Sequence, residues 1–409
     1  MTMTQDSAQA APSNSVYYDP YDFEIDDNPY PIWKRLRDEQ PLYYNAKYDF
    51  FALSRHADVE RCSKDWKRYS SSRGTLLELI KANMSLPGSI IFEDPPAHDL
   101  HRSLVTSMFL PRKIAALEEK VRGFCASCLD PLRDKGGFDF IADFGAMIPM
   151  RAIGYLLGIP EEDQIALRNQ IDHGLELKEG APPPSDMQQR LIQGQMGVIS
   201  EYIQWRAENP SDDIITELLK IEFDDIDGTR RKLRNEELLQ FVNLIAAAGN
   251  ETTARLIGWA GKVLAEHPDQ RREVVQDLTL VPRVIEELLR FESPSPVQAR
   301  YVTEDVEHYG QTVKEGSVML LLTGSANRDE RRFTNGDTFN IHRQVGGHLA
   351  FGYGIHFCLG ASLARLEARV ALEEVLKRFP EWDVDYANAV QARTSTVRGW
   401  KTLPVKVKG

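Results

Sequence analysis

Apolar residues recur at helical spacing through most of the chain. Stretches 114–133, 214–220, 235–267, 281–291 and 359–379 return an apolar side chain every three or four positions, which predicts amphipathic or buried helices. The segment 235–267 would run roughly 50 Å at about 1.5 Å per residue, long enough to cross a whole domain. A shorter helix is predicted from Ile32 to Arg37, its entry fixed by Pro29 and Pro31. Two aromatic-rich runs, Leu42-Tyr43-Tyr44 and Phe50-Phe51-Ala52-Leu53, flank a polar turn and predict a small hairpin. The pattern lapses at 86–89, at the proline-rich 179–185 and at 333–347. Because composition does not change across 179–185, that stretch reads as a loop between helices rather than a domain linker. The expectation is a mainly α fold with small β-sheets.

Composition narrows the function. With 409 residues the chain can form two or three domains or one large fold. Its 49 Lys and Arg face 61 Asp and Glu, a net charge of −12, which argues against nucleic acid or an anionic membrane as the main partner. Four cysteines cannot form a disulfide framework at this length, so a reducing cytoplasm is expected. The longest apolar runs, near 241–249 and 317–324, fall short of a membrane span, so no membrane anchor is expected. Residues 1–15 lack the basic and apolar regions of a signal peptide and read as a flexible tail.

The densest chemical signal is Phe351-x-x-Gly354-x-His356-x-Cys358-x-Gly360, directly before a predicted helix. A cysteine there faces free backbone N–H groups and the positive end of the helix dipole, which favour thiolate. Glycines 352, 354 and 360 let the loop fold tightly against a flat, bulky group. No second cysteine or histidine pair completes a zinc site, so one thiolate in an open loop suits an axial ligand of haem iron. A buried cysteine beside an ordinary helix start is the competing reading. In the long helix, Ala248-Gly249-Asn250-Glu251-Thr252-Thr253 offers a bare face, and Thr252 can bond a carbonyl one turn back and bend the helix. Glu287 and Arg290, three apart, can pair on one helix face. Cys125 and Cys128 sit inside a helical pattern without a partner pair, and they and Cys62 read as core packing.

Taken together, these motifs resemble the cytochrome P-450 monooxygenases over nearly the whole chain, with His356 where many members have arginine. The resemblance implies a single haem domain over residues 16–409, β-rich at about 40–55, 296–322 and 385–409, with haem b between the long central helix and the Cys358 loop. It implies Cys358 as the axial thiolate, with Phe351 and Gly360 framing it. Ala248 and Gly249 would line the oxygen-binding groove, where Thr252 would act through its hydroxyl and Glu251 would relay protons from solvent. His98, Arg102, Arg300 and His356 match the residues that hold the haem carboxylates, a task suited to the planar arginine fork. Glu287 and Arg290 become a buried structural pair completed by Arg343.

The implied activity is insertion of one oxygen atom from O2 into a C–H bond, since a thiolate pushes electron density onto iron and favours O–O cleavage. Electrons would come from NAD(P)H through a ferredoxin or flavodoxin and its reductase, because the chain carries no flavin- or nicotinamide-binding segment. Arg112, Lys113, Lys120 and Arg122 are candidates for a local basic docking face. The substrate pocket would be drawn from 75–91, 174–196, 242–248, 294–298 and 394–400. Its apolar side chains imply a hydrophobic small molecule such as a lipid, terpenoid or steroid. A monomer is expected. A ligand-sensing haem-thiolate protein and an H2O2-dependent peroxygenase stay open as alternatives, though neither has need of the Glu251–Thr252 pair.

Overall fold

The computed structural model describes residues 16–83, 88–166, 177, 199–395 and 397–408. The expected tail 1–15, the loop 179–185, residues 86 and 87, and all of 174–196 except Leu177 lie outside the described residues.

The central helix, Asn235–Glu266, is the axis of the molecule. Leu238, Phe241, Val242, Ile245, Leu256, Ile257, Trp259, Val263 and Leu264 are all buried, so this helix is apolar nearly all round, as a helix enclosed on every side must be. The Glu237 carboxylate accepts the Arg234 backbone N–H at 2.8 Å and caps its start. It ends at His267 because Pro268 follows and disfavours helical backbone before it. Three glycines on this helix are packing devices. A Cβ on Gly258 or Gly261 would meet Ile141 or Phe140, and one on Gly249 would lie 2.5 Å from Ile153 Cδ1. They admit the π-helical turn Phe140–Gly145 and the helix Met147–Leu157 to close range. The stretch Phe140–Leu157 is apolar and long enough by composition to cross a membrane, but 67% of it is buried inside the fold, and this packing accounts for its hydropathy.

Gly249→Ala tests that packing. Helix propensity favours alanine by about 1 kcal/mol, but overpacking costs about 1–3 kcal/mol, so a net loss of up to about 2 kcal/mol in denaturant unfolding is expected. Ile153→Ala in the Gly249→Ala background should recover part of that loss, and additive losses would show that the two side chains do not compete for one space.

Helices Ile214–Lys220 and Val281–Phe291 occupy the spans expected. The segment 114–133 does not form one helix. It divides into Pro111–Ala115, Glu118–Leu129 and a 3-10 turn Asp130–Leu132, the last ending the helix where Pro131 has no N–H to donate. The last long helix begins at Ala361 rather than 359, because Leu359 and Gly360 still belong to the cysteine loop. The hairpin Leu42–Asn45 with Phe50–Leu53 forms one edge of a five-stranded sheet, which continues through Val318–Leu321, Gln298–Val302 and Tyr69–Ser70. A small antiparallel pair, Glu222–Asp224 with Arg230–Lys232, stands between helices in the region expected to be mainly helical. Cys62 and Cys125 are buried in apolar clusters and Cys128 packs against one of them. Burial pushes all three thiols up, as befits packing rather than reactivity.

Candidate active site

The cysteine loop is held by its own backbone. The Cys358 N–H donates to the Phe351 carbonyl at 2.8 Å, and Gly352 and Gly354 turn the chain at φ of 71° and 75°. At Gly354 a Cβ would also sit 2.8 Å from the Ser63 carbonyl oxygen, so this turn tolerates glycine alone. The helix Ala361–Arg378 follows at once with Gly360 as its cap. The Phe351 ring is buried and carries the Arg365 guanidinium 4.4 Å above it. Arg365 in turn donates to Glu286 at 2.6 Å, and His348 Nε2 lies 3.1 Å from the same carboxylate. Burial works to raise the Glu286 pKa, but the His348 and Arg365 bonds hold it down at about 2.

Cys358 itself is exposed, although the loop lies inside the molecule. Ala248 is likewise exposed in the middle of the otherwise buried central helix. Both therefore open on internal space. The thiol does not follow the expectation from the helix N-terminus. Burial pushes its pKa up, outweighing the Gly360 N–H and the charges of Arg102 and Arg365, which act to lower it.

On the central helix, Thr252 Oγ1 donates to the Ala248 carbonyl at 2.8 Å, the back-bond expected from the sequence. Its proton is thereby committed, and the hydroxyl offers lone pairs to the groove. The bare face rests on Ala248, because the missing side chain of Gly249 is turned to Ile153. Glu251 is not a solvent-facing acid. It is buried and paired with Arg255 Nη2 at 3.0 Å, and Arg255 is tied to the Trp400 carbonyl. A proton passing through Glu251 must share or displace that ion pair.

The four expected cationic residues converge. The His98 and His356 rings meet edge to face at 4.6 Å, and the Nε2 atoms of both are buried without a hydrogen-bond partner. Arg300 is buried, donates among the described residues only to the carbonyl of Ala299, and is lowered by burial to about 10 against the opposing charge of Asp94. Arg102 Nη2 donates to the Phe357 carbonyl at 2.5 Å. Burial, with the charges of Arg300, His98 and Arg102, drives His356 down to about 2. Such a crowd of donors with two orphaned nitrogens suits a ligand bearing carboxylates. With one cysteine sulfur open to the same space, the donor set fits haem.

Below the loop, Glu287 and Arg290 are both fully buried and joined by bonds of 2.7 and 2.8 Å, and Arg343 Nε reaches the same carboxylate at 3.1 Å. One residue with a place near this site went unread in the sequence. Glu367, on the helix Ala361–Arg378, is buried with neither carboxylate oxygen hydrogen-bonded, faces Thr253, and has its pKa raised well above the usual carboxylate range by burial. The available signal was a charged residue on the apolar stripe of Leu363, Leu366 and Val370. The expected basic face is thinner than the sequence suggests. Arg122 is consumed by Glu118, Glu373 and Glu374, Lys113 pairs with Glu217 at 3.5 Å, and Lys120 sits 4.4 Å over Tyr155. Arg112 is exposed and makes no ion pair among the described residues.

Comparison with known proteins follows the same lines. The sequence profile described as Cytochrome P-450 matches residues 183–408. Cytochrome P-450 109 of Bacillus spizizenii is 38% identical over 357 residues, covering 85% of this chain and 84% of that protein. The vitamin D(3) 25-hydroxylase of Pseudonocardia autotrophica is 35% identical, covering 92% of this chain and 93% of that protein. Among solved structures, CYP109E1 from Bacillus megaterium in complex with testosterone superposes with a TM-score of 0.84 at 29% identity, covering 94% of this chain and 99% of that one. P-450BioI, in complex with an acyl carrier protein bearing hexadec-9Z-enoic acid, gives 0.82 at 29% identity, over 94% and 100% of the two chains.

Proposed function

Since the chain belongs to the cytochrome P-450 family and is thus a monooxygenase with haem on a cysteine thiolate, we propose that Cys358 is that thiolate and that the enzyme hydroxylates a hydrophobic small molecule. The carrying observation is the pair of orphaned imidazole nitrogens, on His98 and His356, beside buried Arg300, with Arg102 acting on both His356 and the exposed Cys358. Bound there, haem supplies oxygen activation and the oxidising power to break an unactivated C–H bond.

The chain's own residues supply the rest. Arg102, Arg300, His98 and His356 would hold the haem carboxylates. Phe351 and Gly360 would hold the surroundings of the Cys358 thiolate, and Ala248 leaves its stretch of the central helix bare. Thr252 Oγ1, its proton given to Ala248, accepts a hydrogen bond from whatever protonated group enters the groove. Glu251 exchanges protons with that groove by yielding its bond to Arg255. Thr252→Ala should therefore lower product formed per NAD(P)H consumed and raise peroxide release, with little change in substrate affinity. Unchanged coupling would remove Thr252 from proton delivery.

A lipid, terpenoid or steroid is the favoured substrate class. Support comes from the apolar residues Leu76, Leu77, Leu79, Ile80, Ile90 and Ile91 of the segment assigned to the pocket, and from relatives named as a vitamin D(3) hydroxylase and solved with testosterone. Electrons would arrive from NAD(P)H through a ferredoxin or flavodoxin and its reductase, with Arg112 as the unpaired basic contact. A screen of hydrophobic compounds for low-to-high spin shifts of the holoenzyme tests the substrate class. Shifts confined to polar compounds would overturn it.

A further inference from the structure

Away from the cysteine loop, a cavity of about 70 Å³ lies between the N-terminal segment, the start of the helix Leu77–Lys81, and the turn joining strands Val390–Arg393 and Arg398–Thr402. A water needs roughly 10–15 Å³ of such space, so the cavity admits about five to seven non-hydrogen atoms. Three aromatic rings line it, those of Tyr18, Tyr21 and Trp33, together with Leu76, Glu78 and Ser395.

The carboxyl of Glu78 is the anomaly. One oxygen accepts the Tyr21 hydroxyl at 3.1 Å and the Ser395 hydroxyl stands beside the carboxyl, but no cation among the described residues meets it. The other charged groups on the cavity wall are already matched. Asp19 is bound by Lys47 at 3.1 Å, Asp26 by Arg393 at 2.7 Å, and Arg398 by Glu292 at 3.1 Å. No cation among the described residues acts on Glu78, and burial raises its pKa. A carboxyl held in an apolar, aromatic space without a counter-charge is costly unless something else supplies one. Ring faces also attract cations.

We propose that this cavity binds a small alkylammonium group, with Glu78 as its counter-charge and the rings of Tyr18, Tyr21 and Trp33 as its walls. The site does not depend on the haem reading, although Leu76, Glu78 and Ser395 belong to segments assigned to the substrate pocket, so the cavity adjoins or forms part of that pocket.

Choline and its neutral isostere 3,3-dimethylbutan-1-ol test this, because the two share a shape and differ in charge, and neither can ligate iron through nitrogen. In ligand-observed NMR titrations of the holoenzyme, choline should bind at least tenfold more tightly than the alcohol. Glu78→Gln should erase that preference, and Leu76→Trp, which fills the cavity, should abolish binding of both. Variants are accepted when their haem absorbance matches the parent. Absence of choline binding, equal affinity for the alcohol in the parent protein, or choline binding unchanged in the variants would each overturn the proposal.

Discussion

Cys358→Ala is expected to give a folded protein that has lost all O2-dependent turnover and, when reduced and exposed to CO, lacks the red-shifted absorbance band of thiolate ligation. The two halves of that expectation rest on different observations. Stability should hold within about 0.5 kcal/mol, as for an exposed side chain outside the packed core. The Sγ atom opens on internal space, and the loop's shape comes from the Cys358 N–H to Phe351 carbonyl bond, which alanine keeps. Chemistry should fail entirely, because none of the other three cysteines is free to take its place. Cys62, Cys125 and Cys128 are taken up by core packing, and no cluster of metal-ligating side chains exists among the described residues. His356 does not take its place, since its ring packs edge to face on His98 at 4.6 Å, among the carboxylate-binding groups. Equilibrium unfolding and the CO difference spectrum separate the two halves. A variant retaining the red-shifted band would remove Cys358 from the iron.

The cysteine loop, the Thr252 back-bond and the Glu287–Arg290 pair were legible in the sequence because each depends on residues a fixed number of positions apart, or on glycine where only glycine fits, whereas Arg343 came from the family resemblance alone. What escaped depends on contacts between distant segments. The direction in which Gly249 is bare is decided by Ile153, about a hundred residues earlier, and periodicity within one helix cannot say which side meets it. The charge on Arg122 reads as a free basic patch until the helix Ala361–Arg378 brings Glu373 and Glu374 against it. Glu251 looks like a surface acid because nothing local shows that Trp400 anchors its partner Arg255. Glu78 gave no signal at all, since the aromatic rings around it come from the first thirty-three residues of the chain.

The buried ion pair beneath the loop should prove more sensitive to stability measurements than any residue that faces the substrate. Arg290 has five N–H donors, and all have acceptors: two reach Glu287 at 2.7 and 2.8 Å, and the others reach the carbonyls of Asn327, Gly336 and Thr338. Glu287 also accepts the Asn340 N–H at 2.9 Å, so one carboxylate ties the helix Val281–Phe291 to the irregular stretch 333–347. From there the path to the cysteine is short, because the Asn327 side chain accepts the Leu349 N–H at 2.7 Å, two residues before Phe351. Such a pair contributes little net stability over a well-packed apolar pair, yet removing one partner leaves a buried charge behind at a cost of about 3–5 kcal/mol. Against a total of about 5–15 kcal/mol, Arg290→Leu should unfold far earlier in denaturant and lose its haem on purification. Lysine cannot replace the planar fork and should rescue little. Glu287→Gln should also be severe, since it leaves Arg290 and Arg343 facing each other without a carboxylate between them. If Arg290→Leu instead unfolds within about 1 kcal/mol of the parent and keeps its CO band, the pair does not hold the loop, and the positioning of Cys358 must rest on the Glu286–His348–Arg365 contacts alone.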